Sequence, residues 1–155
     1  MSCGIALAVA LAAAPMTEAP AAATAAPTPV SVAHEPLYVD IVSRARTLER
    51  MVRDWHGQAP AAAGPAAPLP GFDAFKAEAK ALAELDMKAH LDLKARDADG
   101  DLKCILRGIS EDMPKRGAAV EDAATAPERR LALDELAYLL NDNAGVITAP
   151  PKPPV

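Results

Sequence analysis

The sequence predicts an all-α protein, a small irregular four-helix bundle with flexible N- and C-terminal segments. Three observations lead there. Apolar residues recur at three- and four-residue steps in four separate stretches. Sustained strand alternation and β-branched runs are missing. Stretches dense in Pro and Gly lie between and around the helical segments, where a helix does not continue.

The first segment runs from Glu35 to Trp55 or His56. Ile41, Ala45, Leu48, Val52 and Trp55 share one face, Pro36 and Asp40 suit the first turns, and Gly57 is a stop. Residues 57–71 form a long loop that either crosses an end of the bundle or moves freely. The second helix is expected over residues 73–96, with Phe75, Ala79, Leu82, Leu85, Ala89 and Leu93 inward. Asp86 and His90 read as an ordinary polar pair one turn apart.

The third helix starts near Asp101 and carries Leu102, Ile105, Leu106, Ile109 and Met113. Pro114 should end or kink it, leaving residues 115–124 for a turn or short helix. The fourth has the clearest start. Thr125-Ala126-Pro127-Glu128 fits a capping box with proline in the first turn. Leu133, Leu136, Leu139 and Leu140 follow, and residues 141–145 read as a stop. The expected core pairs Leu48, Val52 and Trp55 with Leu82, Leu85 and Ile109.

Composition limits what this bundle can do. Its 155 residues suit one domain. Hydrophobic residues make up 51%, but much of that is alanine, which buries little area. The net charge of -5 argues against nucleic acid as a partner, since phosphate binding needs positive surface.

Residues 5–14 are an apolar run of signal-peptide length, too short for a transmembrane anchor. Residues 1–23 therefore read as a signal peptide, although a basic n-region is missing. Residues 24–34 are an Ala/Pro-rich linker, 35–147 the bundle, and 148–155 a proline-rich tail. Export would place the protein in the periplasm or outside the cell. The competing reading is a disordered leader on a cytoplasmic protein. With Cys3 and Cys104 no disulfide framework can form, and Cys104 is expected to be buried.

Sites are weakly marked. Asp97, Asp99 and Asp101 occupy alternate positions, like the start of a calcium loop. Counting from Asp97, Leu102 stands where glycine is needed and Gly108 where glutamate is needed, so an acidic interhelical turn is preferred. Met51, Met87, Met113, His56 and His90 could be haem ligands, but nothing fixes a pair and no Cys-x-x-Cys-His is present. No cofactor is expected. Cys104 with His90 or His56 is a conceivable nucleophile–base pair, the plentiful carboxylates are spaced like solvated helix faces, and no phosphate loop precedes a helix, so a non-enzymatic reading is favoured.

The remaining feature is a basic stripe on the first helix. Arg46, Arg50 and Arg53, with Arg44 nearby, lie away from the apolar stripe and could dock an acidic protein, a polyanion or a lipid headgroup, while Glu49 and Asp54 could neutralise them. Trp55 completes this candidate binding surface. The expected function is that of an exported helical protein working through protein–protein contacts. The alternative is a bundle that holds a small ligand, metal or haem.

Export has a direct test. Intact mass of the protein isolated from its native cell should show loss of the leader. Full-length chain found only in the cytoplasm would refute it.

Overall fold

A computed structural model describes residues 31–59, 63–98 and 100–149, and over these the chain forms four helices. They are α1 (Pro36–Gln58), α2 (Phe72–Ala95), α3 (Gly100–Asp122) and α4 (Ala126–Thr148). Among the described residues there is no strand, only an isolated bridge between Pro65 and Thr125. The expected all-α bundle is the fold. The leader, most of the linker and most of the proline-rich tail lie outside the described residues.

The buried positions explain why these segments associate. In α1 they are Tyr38, Ile41, Ala45, Leu48, Val52 and Trp55, at alternating steps of three and four. In α2 the same alternation runs Phe75, Ala79, Leu82, Asp86, Ala89 and Leu93. In α4 it runs Leu133, Leu136, Leu140, Asn143 and Ile147. A repeat averaging 3.5 residues keeps one seam of each helix turned toward its neighbours. Each helix touches the next, and α4 returns to α1, so the four form a ring. The pairs α2–α3 and α1–α4 pack most extensively, and the diagonals make no close backbone approach.

The expected stripe on α1 is buried and shares one core with Leu82 and Ile109. Two details differ. Leu85 is only half-buried, and α3 stands diagonally across from α1, whose main neighbour is α4.

Helices α3 and α4 are longer than their sequences suggest. Pro114 lies inside α3, which continues to Asp122. Its ring is exposed, while Met113 before it and Val120 after it are buried. Packing on both sides of the proline offsets the one backbone hydrogen bond it cannot donate. Likewise α4 runs through residues 141–145 to Thr148, because Asn143, Ala144 and Ile147 all go into the core.

Aromatic packing and backbone capping close the two ends. At one, Trp55 meets Phe72 and Phe75 edge-on, with ring centroids 5.8 and 5.2 Å apart. The loop after α1 crosses this end beside the α3–α4 turn: Ala66 N–H donates to Ala124 O at 2.9 Å and Ala126 N–H to Gly64 O at 2.8 Å. Arg129 donates to Ala67 O and Ala123 O, and Arg130 to Ala59 O, each at 3.2 Å. These guanidinium groups thus serve carbonyls just past the ends of α3 and α1, where the helix dipole favours positive charge.

At the other end Tyr38 Oη donates to Asp92 Oδ2 at 3.1 Å. Arg96 spans Asp92 Oδ2 at 2.6 Å and Glu35 Oε1 at 3.1 Å, tying the start of α1 to the end of α2. Burial is the main cause that pushes the Tyr38 hydroxyl up to about 12, so it stays a donor at any ordinary pH.

The capping box is formed as expected. Thr125 Oγ1 accepts from Glu128 N–H at 3.4 Å, and Glu128 Oε2 accepts from Thr125 N–H at 3.0 Å. Those bonds to Thr125 hold the Glu128 carboxyl below its ordinary range. Thr125→Ala should cost about 1 kcal/mol, read from denaturant melts. No measurable loss would show that the helix does not depend on this cap.

Candidate functional site

The outer side of α1 carries arginines because its seam residues fix which positions face water. Arg46 follows the buried Ala45, Arg50 stands two residues before Val52, and Arg53 follows Val52. All three arginines are exposed, so their placement agrees with the stripe read from the sequence. Their surroundings differ.

Arg53 is neutralised on its own helix: its Nε and Nη2 donate to Glu49 Oε1 at 2.8 and 2.6 Å. Arg44 lies on the flank toward α2, bonded to Asp40 at 3.0 Å and Glu78 at 3.1 Å. Arg46 and Arg50 have no carboxylate within ion-pair reach among the described residues. Arg50 Nη2 donates instead to Thr47 Oγ1 at 3.2 Å, and that hydroxyl donates to Ser43 O at 3.0 Å.

Trp55 does not belong to this surface. It is 7% exposed and packed on Phe72 and Phe75, so the sequence-based assignment of Trp55 as a surface contact is overturned. A large apolar ring at a seam position is worth more inside, about 25 cal/mol per Å² removed from water. Tyr138, on α4, is 70% exposed.

What accompanies Arg46 and Arg50 is a shallow groove of ≈ 340 Å³. Val39, Val42 and Ser43 on α1 line it, with Ala33 from the lead-in segment and Thr148 from the last turn of α4. Val39 is 50% exposed and Val42 half-buried. Sequence reading missed these residues, although Val39, Val42, Arg46 and Arg50 follow one another at steps of three and four. They form a second stripe beside the seam. The involvement of Thr148 depends on α4 reaching that far, which the sequence concealed.

The other candidates are dispersed. Cys104 is exposed, which corrects the expectation that it is buried; it follows Lys103, a position α3 turns away from its seam of Leu102, Leu106 and Ile109. His90 Nδ1 lies 2.7 Å from Lys103 O at the α2–α3 boundary. His56 Nε2 lies 3.1 Å from Asp134 Oδ1 at the α1–α4 boundary, close enough for an ion pair but without hydrogen-bond alignment. The two histidines thus serve different helix pairs, and neither bonds Cys104. Met113 is buried in the core, and Met51 and Met87 are half-buried.

In the interhelical turn Asp97 has a left-handed backbone, φ 49°, and Asp101 lies in the first turn of α3. Asp99 lies outside the described residues. Among the described residues no group of three or more His, Cys, Asp or Glu side chains could hold a metal, and no helix is long and apolar enough to cross a membrane. Asp86 does not pair with His90 as expected. It is fully buried and accepts from Asn143 Nδ2 of α4 at 2.7 Å.

Two further hollows are more apolar. One of ≈ 300 Å³ between α2 and α3 has Phe75, Ala79, Met113, Pro114 and Gly117 in its lining. Its Lys76 is already held by Glu121 at 2.6 Å and Asp73 at 3.1 Å. The other, ≈ 220 Å³, lies under the loop between Trp55, Leu69 and Arg129.

The fold and the site together define a four-helix bundle with a mixed cationic and apolar groove along α1. In comparisons with known proteins no family model, no curated protein and no solved structure matches this chain.

Exposure separates the stability roles of neighbouring α1 residues. Leu48→Ala should cost about 2–5 kcal/mol through lost burial and a residual cavity. Arg50→Ala should stay within about 0.5 kcal/mol. Denaturant melts of both variants check the pair, and an inverted order would refute the assignment of faces.

Proposed function

We propose that this chain is a non-enzymatic, exported binding protein whose α1 groove docks an acidic, amphipathic segment of another protein. The single observation behind this reading is the pairing state of the arginines. Arg44 and Arg53 have intramolecular carboxylates, whereas Arg46 and Arg50, which line the groove, have none among the described residues.

A solvated arginine gains little from a single surface ion pair. Two of them beside Val39 and Val42 offer more, because apolar contact excludes water from the charge pairs that form. An acidic segment with apolar residues on one side satisfies both features. Arginine can bind a carboxylate through two parallel N–H donors, which adds direction to the attraction. The overall negative charge of the chain would repel an acidic partner at a distance, so encounter depends on this local patch and on ionic strength.

The small-ligand reading has less support. In the α2–α3 hollow the cation that could orient an anionic ligand, Lys76, is occupied by Glu121 and Asp73.

The test uses a fluorescent amphipathic helical peptide with glutamate on one side, its glutamine counterpart, and vesicles of anionic lipid. The acidic peptide should bind more tightly at low salt than at high salt. Arg46→Glu with Arg50→Glu should weaken it by at least about tenfold, some 1.4 kcal/mol. Lys88→Glu with Lys94→Glu, an equal charge change at exposed positions of α2, should leave it nearly unchanged. Equal binding of the glutamine peptide, indifference to the double reversal, or binding of vesicles alone would overturn the proposal.

A further inference from the structure

Asp86 and Asn143 are fully buried, and they join α2 to α4 across a diagonal where the backbones do not otherwise approach. Their one hydrogen bond, Asn143 Nδ2–H to Asp86 Oδ2 at 2.7 Å, leaves two acceptors over. Asp86 Oδ1 and Asn143 Oδ1 are both buried and have no donor. An ionised Asp86 would therefore place a full charge in an apolar core with a single hydrogen bond. Such a charge is among the costliest groups to bury.

One proton resolves the arrangement. A carboxylic acid presents a donor on one oxygen and an acceptor on the other, and a primary amide sets an N–H donor beside a carbonyl acceptor. Side by side, acid and amide close a ring of two hydrogen bonds. We propose that Asp86 is a neutral carboxylic acid in the folded bundle, with its Oδ1–H donating to Asn143 Oδ1, and that release of this proton to solvent loosens the α2–α4 clasp.

Among the described residues no charged group faces Asp86 to stabilise its ionised form. Among the buried residues of α1, α3 and α4 the one titratable side chain is Tyr38, whose hydroxyl is engaged at Asp92. The charged groups on these helices stand at half-buried or exposed positions: Glu49 on Arg53, Asp112 on Lys115, Glu135 on Arg116, and Asp142 half-buried. On α2 itself His90, one turn on, lies against Lys103 O. Burial accordingly pushes the Asp86 carboxyl up to about 7, against a smaller opposing effect of the Asn143 donor.

The sign of the pH dependence follows. The folded state holds this proton over a range where unfolded chain has released it. The clasp's contribution is thus fully present below the ordinary aspartate range and is lost as pH rises through about 7. Between those limits the folding equilibrium should shift by about a thousand-fold on account of this one group.

Two measurements on the intact chain test it. In wild-type protein the Asp86 carboxyl carbon, followed by NMR, should titrate near neutrality, well apart from the exposed carboxylates. A midpoint in the ordinary aspartate range would overturn the proposal, since it would mean an ionised Asp86 satisfied by buried water. In parallel, Asp86→Asn keeps an amide that can bond Asn143 and removes the proton. Thermal or urea melts of wild type should lose stability relative to Asp86→Asn as pH rises from about 4 to 8. Parallel pH profiles would overturn it. Should Asp86→Asn fail to fold, the wild-type carboxyl titration decides alone.

Discussion

Every helix here must turn a residue into the core at each step of three or four, and the chain has few large apolar side chains to place there. Alanine supplies helix length and allows close approach, but it contributes little buried area. The seam is therefore assembled from scarce residues at strict spacing: Tyr38 to Trp55 in α1, Phe75 to Leu93 in α2, Leu133 to Ile147 in α4. Irregularity elsewhere is tolerated as long as the seam is kept. Pro114 persists inside α3 because Met113 and Val120 remain buried on either side.

Two seam positions are polar, and this is where hydrophobic periodicity stops being a sufficient guide. Asp86 and Asn143 occupy places in their repeats that Leu or Ala fills elsewhere. Read by residue type, Asp86 belongs on the surface with His90, and the run from 141 to 145 belongs to a helix end. Read by register, both belong inside. They are tolerable there only because they meet each other at 2.7 Å. A buried polar pair adds little to stability over an apolar pair, but it penalises any register in which the two fail to meet. In an alanine-rich bundle, where small side chains slide past one another easily, that penalty selects one alignment of α2 and α4.

The readable part of the fold was the part carried by local chemistry. The capping box at Thr125 and Glu128 needs only its own four residues, so sequence alone specified it. The buried faces of α1 and α2 were legible for the same reason. Pairing of helices was not: a stripe does not say which neighbour covers it, and α1 meets α4 more than α3. The site was legible in half. Arg46, Arg50 and Arg53 are exposed where spacing puts them, but ion pairing depends on rotamers and on other helices. Only the structure shows that Arg53 is satisfied by Glu49 and that Arg44 reaches Glu78; of the two sequence readings of Trp55, core and binding surface, packing on Phe72 and Phe75 agrees with the core.

The groove and the clasp share one element, the C-terminal half of α4. Asn143 fixes that half against α2, Ile147 buries the next turn, and Thr148 then closes the groove beside Arg46 and Arg50. Thr148 Oγ1 donates back to Ala144 O at 2.9 Å, so the last turn is stitched to the turn that contains Asn143. The wall of a surface groove thus lies on the same stretch of helix as a polar contact at the centre of the molecule, alongside the packing of α4 on α1. A residue need not be near a binding surface to set its shape; it is enough that the helix carrying that surface has only one alignment in which its buried polar group is satisfied.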